Sequence, residues 1–245
     1  MRYFYSSIFS FIPLIIYLLI VKSINKNGSK SLRLIFISYL SGALGALILV
    51  MITGIILSEG FFNININPNN IQLVIALLFA PVTEEITKGL MLIFVLRNKN
   101  IYSPTNGLIY GGAIGLGFGL IENILYFITS EIMGQSWFLF VINRSFFLSG
   151  MHFITTSVFG ALFILSKFKE KPLKFYLPIA GIMGSIIIHF VWNYITVRNG
   201  ITIMPGYLFL TLSVVIFILL FLTLNQIEKK LIYREISEET RNNLI

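Results

Sequence analysis

"APVTEEITKGLML" (residues 80–92) puts two adjacent glutamates and a lysine in the middle of an apolar run from Ile71 to Leu96. That run is about the length of a membrane-spanning helix. Ionisable groups are costly at such depth, and where they occur they mark functional sites or buried partnerships. On a helix, Glu84 and Glu85 lie four and three residues before Lys88, so the lysine sits one turn below both carboxylates. Two adjacent carboxylates in a low dielectric do not ionise freely together. The lysine can hold one as an ion, leaving the other to take a proton from water as a general base must. The competing reading is an ion triad that only locks helix packing, although packing needs just one carboxylate per lysine. Pro81 stands one turn above and lacks an N–H, which is expected to free the carbonyl of Leu77.

The rest of the chain has the same character. Its 245 residues are 56% hydrophobic and 11% charged, with a mean hydropathy of +0.87. Soluble domains carry roughly a quarter charged residues. The composition therefore predicts an all-α, polytopic transmembrane helix bundle embedded in a lipid bilayer. Seven spans are expected, near residues 4–21, 32–57, 71–96, 107–128, 137–166, 175–198 and 206–225. The long fifth run is expected to begin with a re-entrant or tilted stretch around Asn143 and Arg144. The first run lacks a small-residue cleavage site and is followed by Lys22, Lys26 and Lys30, so it reads as a retained helix rather than a signal peptide. Residues 1–245 are expected to form one membrane domain, with spans 3 to 6 (71–198) as a four-helix catalytic core. The segment "SEGFFNININPNN" (58–70) reads as an interfacial loop, with an extended edge for a peptide as the alternative.

Charge sets the expected orientation. Lys22, Lys26, Lys30 and Arg33 follow span 1, and Arg97 and Lys99 follow span 3. Lys167, Lys169, Lys171 and Lys174 follow span 5, and Lys229, Lys230, Arg234 and Arg241 lie in the tail. The opposite gaps hold little beyond Glu59, Glu131 and Arg198. Positive loops stay cytoplasmic, so the N-terminus is expected outside and the C-terminus in the cytoplasm. The net charge of +8 does not point to nucleic acid, because the basic residues fall in short gaps with no aromatic-interleaved patch. The absence of cysteine excludes disulfides, thiol nucleophiles and Cys-based metal sites. All ten acidic residues are Glu, which removes an aspartyl mechanism.

Further polar residues interrupt spans 4 to 6. Span 4, "NGLIYGGAIGLGFGLIENILYF" (106–127), repeats Gly107, Gly111, Gly115 and Gly119, a face that permits close backbone approach, before reaching Glu122 and Asn123. His152 in span 5 and His189 in span 6 are the only histidines. A lone buried histidine is often just hydrogen-bonded. His189 has Asn193 one turn on, at the end of the small-residue stripe "GIMGSIIIHFVWN" (181–193). At about 1.5 Å per residue, Glu122 lies about 9 Å from the outer end of its span, His189 about 13 Å, and Glu85 and His152 about 21 Å. These residues are expected to share one polar cavity between mid-membrane and the outer half. Four helices supplying Glu, Glu, His and His form a catalytic or metal-site inventory. A proton- or cation-coupled transporter or channel would use similar residues, although no internal repeat of the transporter kind is visible.

With these residues in place, the chain resembles the PrsW family of intramembrane proteases, related to the CAAX-endopeptidase and bacteriocin-processing superfamily. "EEITK" (84–88) is similar to the family's EExxK motif, "FGLIEN" (118–123) to FxxxEN and "HFVWN" (189–193) to HxxxN, with His152 as the intervening histidine. The match covers roughly residues 75 to 195, and many relatives have eight spans. The resemblance implies a bacterial cytoplasmic-membrane protease. It would make the first cut in a single-pass protein, an anti-sigma factor, near the outer membrane boundary. A third reading is a scaffold or immunity protein that keeps this fold without proteolysis, since the superfamily also holds members of unknown activity.

The role assignment is Glu85 as leading base with Glu84 held by Lys88, the two being exchangeable. Glu122 and His152 orient water or bind metal, and His189 and Asn193 stabilise the oxyanion or share the base role. No cofactor is required by the sequence. A zinc ion, if present, is expected at Glu85, Glu122, His152 and His189. HExxH is absent, and "FLSG" (147–150) lacks the Gly-x-Ser-Gly of rhomboid serine proteases.

Overall fold

The structure, a computed structural model, describes residues 2–24, 31–60, 73–97, 103–129, 135–199 and 203–242. All regular elements among them are helices. Span 1 consists of Arg2–Phe9 and Ile12–Ile24. Its break precedes Pro13, which has no N–H to give to Phe9 and whose ring crowds that carbonyl. Span 2 is Leu32–Gly60, span 4 is Pro104–Thr129, span 6 is Leu173–Asn199 and span 7 is Ile203–Asn242. Spans 3 and 5 each contain a π-turn. Ile75–Phe79 leads into the α-helix Ala80–Leu96, and Asn143–Leu148 joins Gln135–Ile142 to Ser149–Ser166.

Six of the described helices are long and apolar enough to cross a membrane. The seventh expected span is the helix carrying Glu84, Glu85 and Lys88. Its membrane character shows in its surface. Val74, Leu78, Val82, Ile86, Leu90 and Phe94 recur every four residues and are exposed, while Glu85 and Lys88 are buried on the opposite face. A soluble helix does the reverse. In a bilayer the apolar stripe meets lipid and the ionisable groups meet each other.

Of the two alternatives for the stretch around Asn143 and Arg144, the re-entrant one does not hold. Residues 137–166 run as one span, and the polar pair lies in its π-turn. A π-turn inserts one extra residue without reversing the chain, and such turns gather at functional sites. Of the loop at 58–70, residues 61–70 lie outside the described residues, and Ser58 to Gly60 end span 2 as helix.

Spans 4 and 5 form the most extensive contact in the bundle, and the glycine ladder is its cause. A Cβ on Gly107 would collide with the Gly160 carbonyl, one on Gly111 with that of Thr156, and one on Gly115 with that of His152. A Cβ on Gly119 would press on Ser149 and the His152 ring. Each four-residue step along span 4 thus meets a turn of span 5, and the ladder sets where His152 stands. Span 6 is tied to span 5 by Ser185, whose hydroxyl contacts the carbonyls of Thr155 at 2.7 Å and Gly181 at 3.0 Å. Gly115→Val should therefore destabilise the protein by about 1–3 kcal/mol or more. Thermal unfolding in detergent should show the drop, whereas Gly184→Ala, with nothing within 4 Å of the added carbon, should be nearly silent.

Candidate active site

Lys88 is fully buried, and its ammonium has two polar partners. It donates to Glu85 Oε1 at 2.6 Å and to His152 Nδ1 at 2.8 Å. The Phe118 ring centroid lies 4.9 Å from Nζ, so the aromatic of "FGLIEN" covers the cation. An ammonium has no lone pair to offer, so His152 Nδ1 must accept. The ring proton is then on Nε2, which donates to Glu122 Oε2 at 2.6 Å. The other Glu122 oxygen accepts from Arg144 at 2.9 Å, and the Arg144 guanidinium stacks 3.5 Å above the Tyr126 ring.

Glu85 Oε1 is saturated. Besides Lys88 it accepts from Thr155 at 3.2 Å and from His189 Nδ1 at 2.8 Å. The His189 bond puts the ring proton on Nδ1 and leaves Nε2 with a lone pair. That nitrogen lies 3.9 Å from Glu84 Oε2, which is buried and has no hydrogen-bond partner. Of the two exchangeable arrangements, the second is the one seen. Lys88 pairs with Glu85 at i,i+3, not with Glu84 at i,i+4, because Thr155 and His189 converge on the same Glu85 oxygen. Glu84 is the glutamate left free.

Glu84, Glu122, Arg144, His189 and Asn193 line a cavity of about 320 Å³. Its rim comes from Ala76, Tyr126, Phe140, Thr196 and Tyr207. These residues lie near the ends of spans 3 to 7 opposite the lysine-rich gaps. Glu85, Lys88 and His152 lie beneath the cavity as its buried support. A second cavity of about 130 Å³ meets the first at Glu84 and Glu122, between spans 2, 3 and 4.

Asn193 donates to the Ala76 carbonyl at 2.8 Å. In a π-turn that carbonyl would accept from the N–H five residues on, which is residue 81. Pro81 has no N–H, so the orphan is Ala76 rather than the expected Leu77, and Asn193 satisfies it. Asn193 thereby ties span 6 to span 3 through one of its two amide hydrogens, and it also lines the cavity. Asn123 faces span 5 instead of the cavity, donating to Ser149 at 3.1 Å and the Arg144 carbonyl at 3.2 Å.

The sequence reading missed Thr155, although its position three residues after His152 places it on the same helical face. It also treated Arg144 as a sign of span geometry only. The signal for Arg144 was its charge inside an apolar run.

The group whose donor atoms converge is Glu84, His152 and His189, within 4.8 Å of one another. Against the expected zinc set, Glu84 takes the place of Glu85, whose Oε1 already accepts three bonds. Glu84 and His189 Nε2 suit a divalent ion, and the His189–Glu85 bond is the outer-shell support such a ligand needs. His152 does not fit as it stands, because its Nδ1 faces an ammonium and its Nε2 proton is given to Glu122. Two donors are fewer than the three protein ligands of a catalytic zinc site.

The family profile described as PrsW family intramembrane metalloprotease matches residues 30–223. The chain is 26% identical over 121 residues to Protease PrsW of Geobacillus kaustophilus (strain HTA426), covering 49% of this chain and 51% of that protein. It thus spans about half the length of that relative. Protease PrsW of Shouchella clausii (strain KSM-K16) is 27% identical over 158 residues, covering 64% and 68% of the two chains. The protein of the same name from Halalkalibacterium halodurans is 26% identical over 172 residues, covering 70% and 74%. No solved structure gives a significant match.

Proposed function

Since the chain belongs to the PrsW family of intramembrane metalloproteases and is a multi-pass bacterial membrane protein, we propose that it hydrolyses a peptide bond in a single-pass membrane protein, an anti-sigma factor, near the outer membrane boundary. The observation that carries this is the free Glu84 carboxylate, 3.9 Å from the lone pair of His189 at the wall of the cavity. A gap of that size is bridged by one water. Glu84 takes one proton of that water while His189 Nε2 accepts a hydrogen bond from the other. The water oxygen attacks the carbonyl carbon, and the C=O electron pair moves onto oxygen. Glu84 then gives its proton to the amide nitrogen, the C–N bond breaks, and a carboxyl and an amine terminus result. Arg144 lines the same cavity with its Nε unpaired, and we assign it the oxyanion.

Co-expression with a tagged single-pass anti-sigma factor tests the proposal. A shortened fragment should form with the wild-type chain and vanish with Glu84→Gln. Identical fragments in cells lacking the chain would contradict it. Orientation is read separately, on a chain with no native cysteine. The exposed positions Ile128→Cys and Val197→Cys should react with an impermeant maleimide on intact cells, and Phe168→Cys should not. The inverse pattern would put the cavity on the cytoplasmic side.

A further inference from the structure

We propose that the smaller cavity, between spans 2, 3 and 4, is a subsite that receives one large apolar side chain of the substrate beside the scissile bond. This rests on the protease reading and specifies what that protease would cut. The cavity measures about 130 Å³ and is walled by Ala46, Leu49, Phe79 and Leu125, with Thr53 and Thr83. Each threonine hydroxyl gives its proton to its own helix: Thr53 donates to the Leu49 carbonyl at 2.9 Å and Thr83 to that of Phe79 at 2.8 Å. An apolar cavity of about 150 Å³ takes up benzene, so this one suits leucine, methionine or phenylalanine.

The occupant follows from continuity. Glu84 and Glu122 line both cavities. A peptide extended through the larger cavity past Glu84 projects successive side chains to opposite sides. One of them faces the smaller cavity within reach of the proposed base. An acidic side chain there would meet two carboxylates. A basic one would pair with Glu84 and occupy the base. An apolar side chain fits the wall and leaves Glu84 free.

The test uses single-pass reporters whose outer juxtamembrane stretch carries each amino acid in turn at the two positions flanking the cut. The wild-type chain should prefer leucine, methionine or phenylalanine at one of them. Ala46→Phe fills the cavity and should reverse that preference toward alanine by roughly tenfold to a hundredfold, the scale set by misfitting apolar pockets. Leu49→Ala enlarges it and should shift the preference toward tryptophan. In the Glu84→Gln background, Ala46→Cys should form a disulfide with a reporter cysteine at that one position. Cleavage whose preference neither variant moves would overturn the subsite, and is the result expected if a lipid acyl chain fills the cavity. So would a preference for lysine or arginine, or no crosslink at any position. If the wild-type chain cleaves no reporter, the protease reading itself fails and the subsite falls with it.

Discussion

Glu84→Gln should lower cleavage by roughly 10²-fold or more, the usual scale of general-base catalysis, while the folded protein accumulates in the membrane as the wild type does. The separation is expected because Glu84 Oε2 has no protein partner. The amide keeps the shape and takes nothing from the fold. Glu85→Gln should behave otherwise. Its carboxylate accepts from Lys88, Thr155 and His189, so neutralising it strands a buried ammonium. Activity and folded protein should fall together. Activity normalised to folded protein, compared across the two variants, is the measurement. A normalised loss in Glu85→Gln alone would return the base role to Glu85.

Lys88→Met should produce a large stability loss. Removing one partner of a fully buried ion pair costs about 3–5 kcal/mol, a large share of the roughly 5–15 kcal/mol that holds a typical domain folded. Lys88 also supplies the hydrogen that fixes the His152 tautomer, and through it the bond to Glu122. The double variant Glu85→Gln/Lys88→Met should recover much of the loss, because replacing both partners leaves no uncompensated charge. Thermal unfolding of the three proteins in detergent measures this. A double variant no more stable than Lys88→Met would show that an uncompensated buried charge is not what destabilises Lys88→Met.

Much of this was legible in the sequence, for a physical reason. Charges inside apolar runs are so costly that their positions alone marked spans 3 to 6 as the site. The four-residue glycine repeat likewise announced the contact that places His152. What periodicity could not decide was which glutamate Lys88 holds. Spacings of three and four are both neighbours on a helix, and the choice was made by Thr155 and His189 on other spans. The two π-turns were also hidden. Each adds one residue to a turn, which moved the orphan carbonyl from Leu77 to Ala76 and brought Arg144 against Glu122. Arg144 was visible as a charge, but its partner lies on span 4 and depends on the turn. Asn193 was recognised through its motif, yet its bond to Ala76 depends on where Pro81 falls in a π-turn.

Mapping new protein termini in membranes tests the central claim most directly. Cells expressing the wild-type chain and cells expressing Glu84→Gln would be compared after chemical enrichment of free N-termini. The expected result is a small set of new termini within single-pass proteins, at the membrane's outer boundary, present with the wild-type chain and lost with Glu84→Gln. An identical set of termini in both would contradict Glu84-dependent proteolysis. The buried Glu–Lys–His network would then be a device for holding helices together.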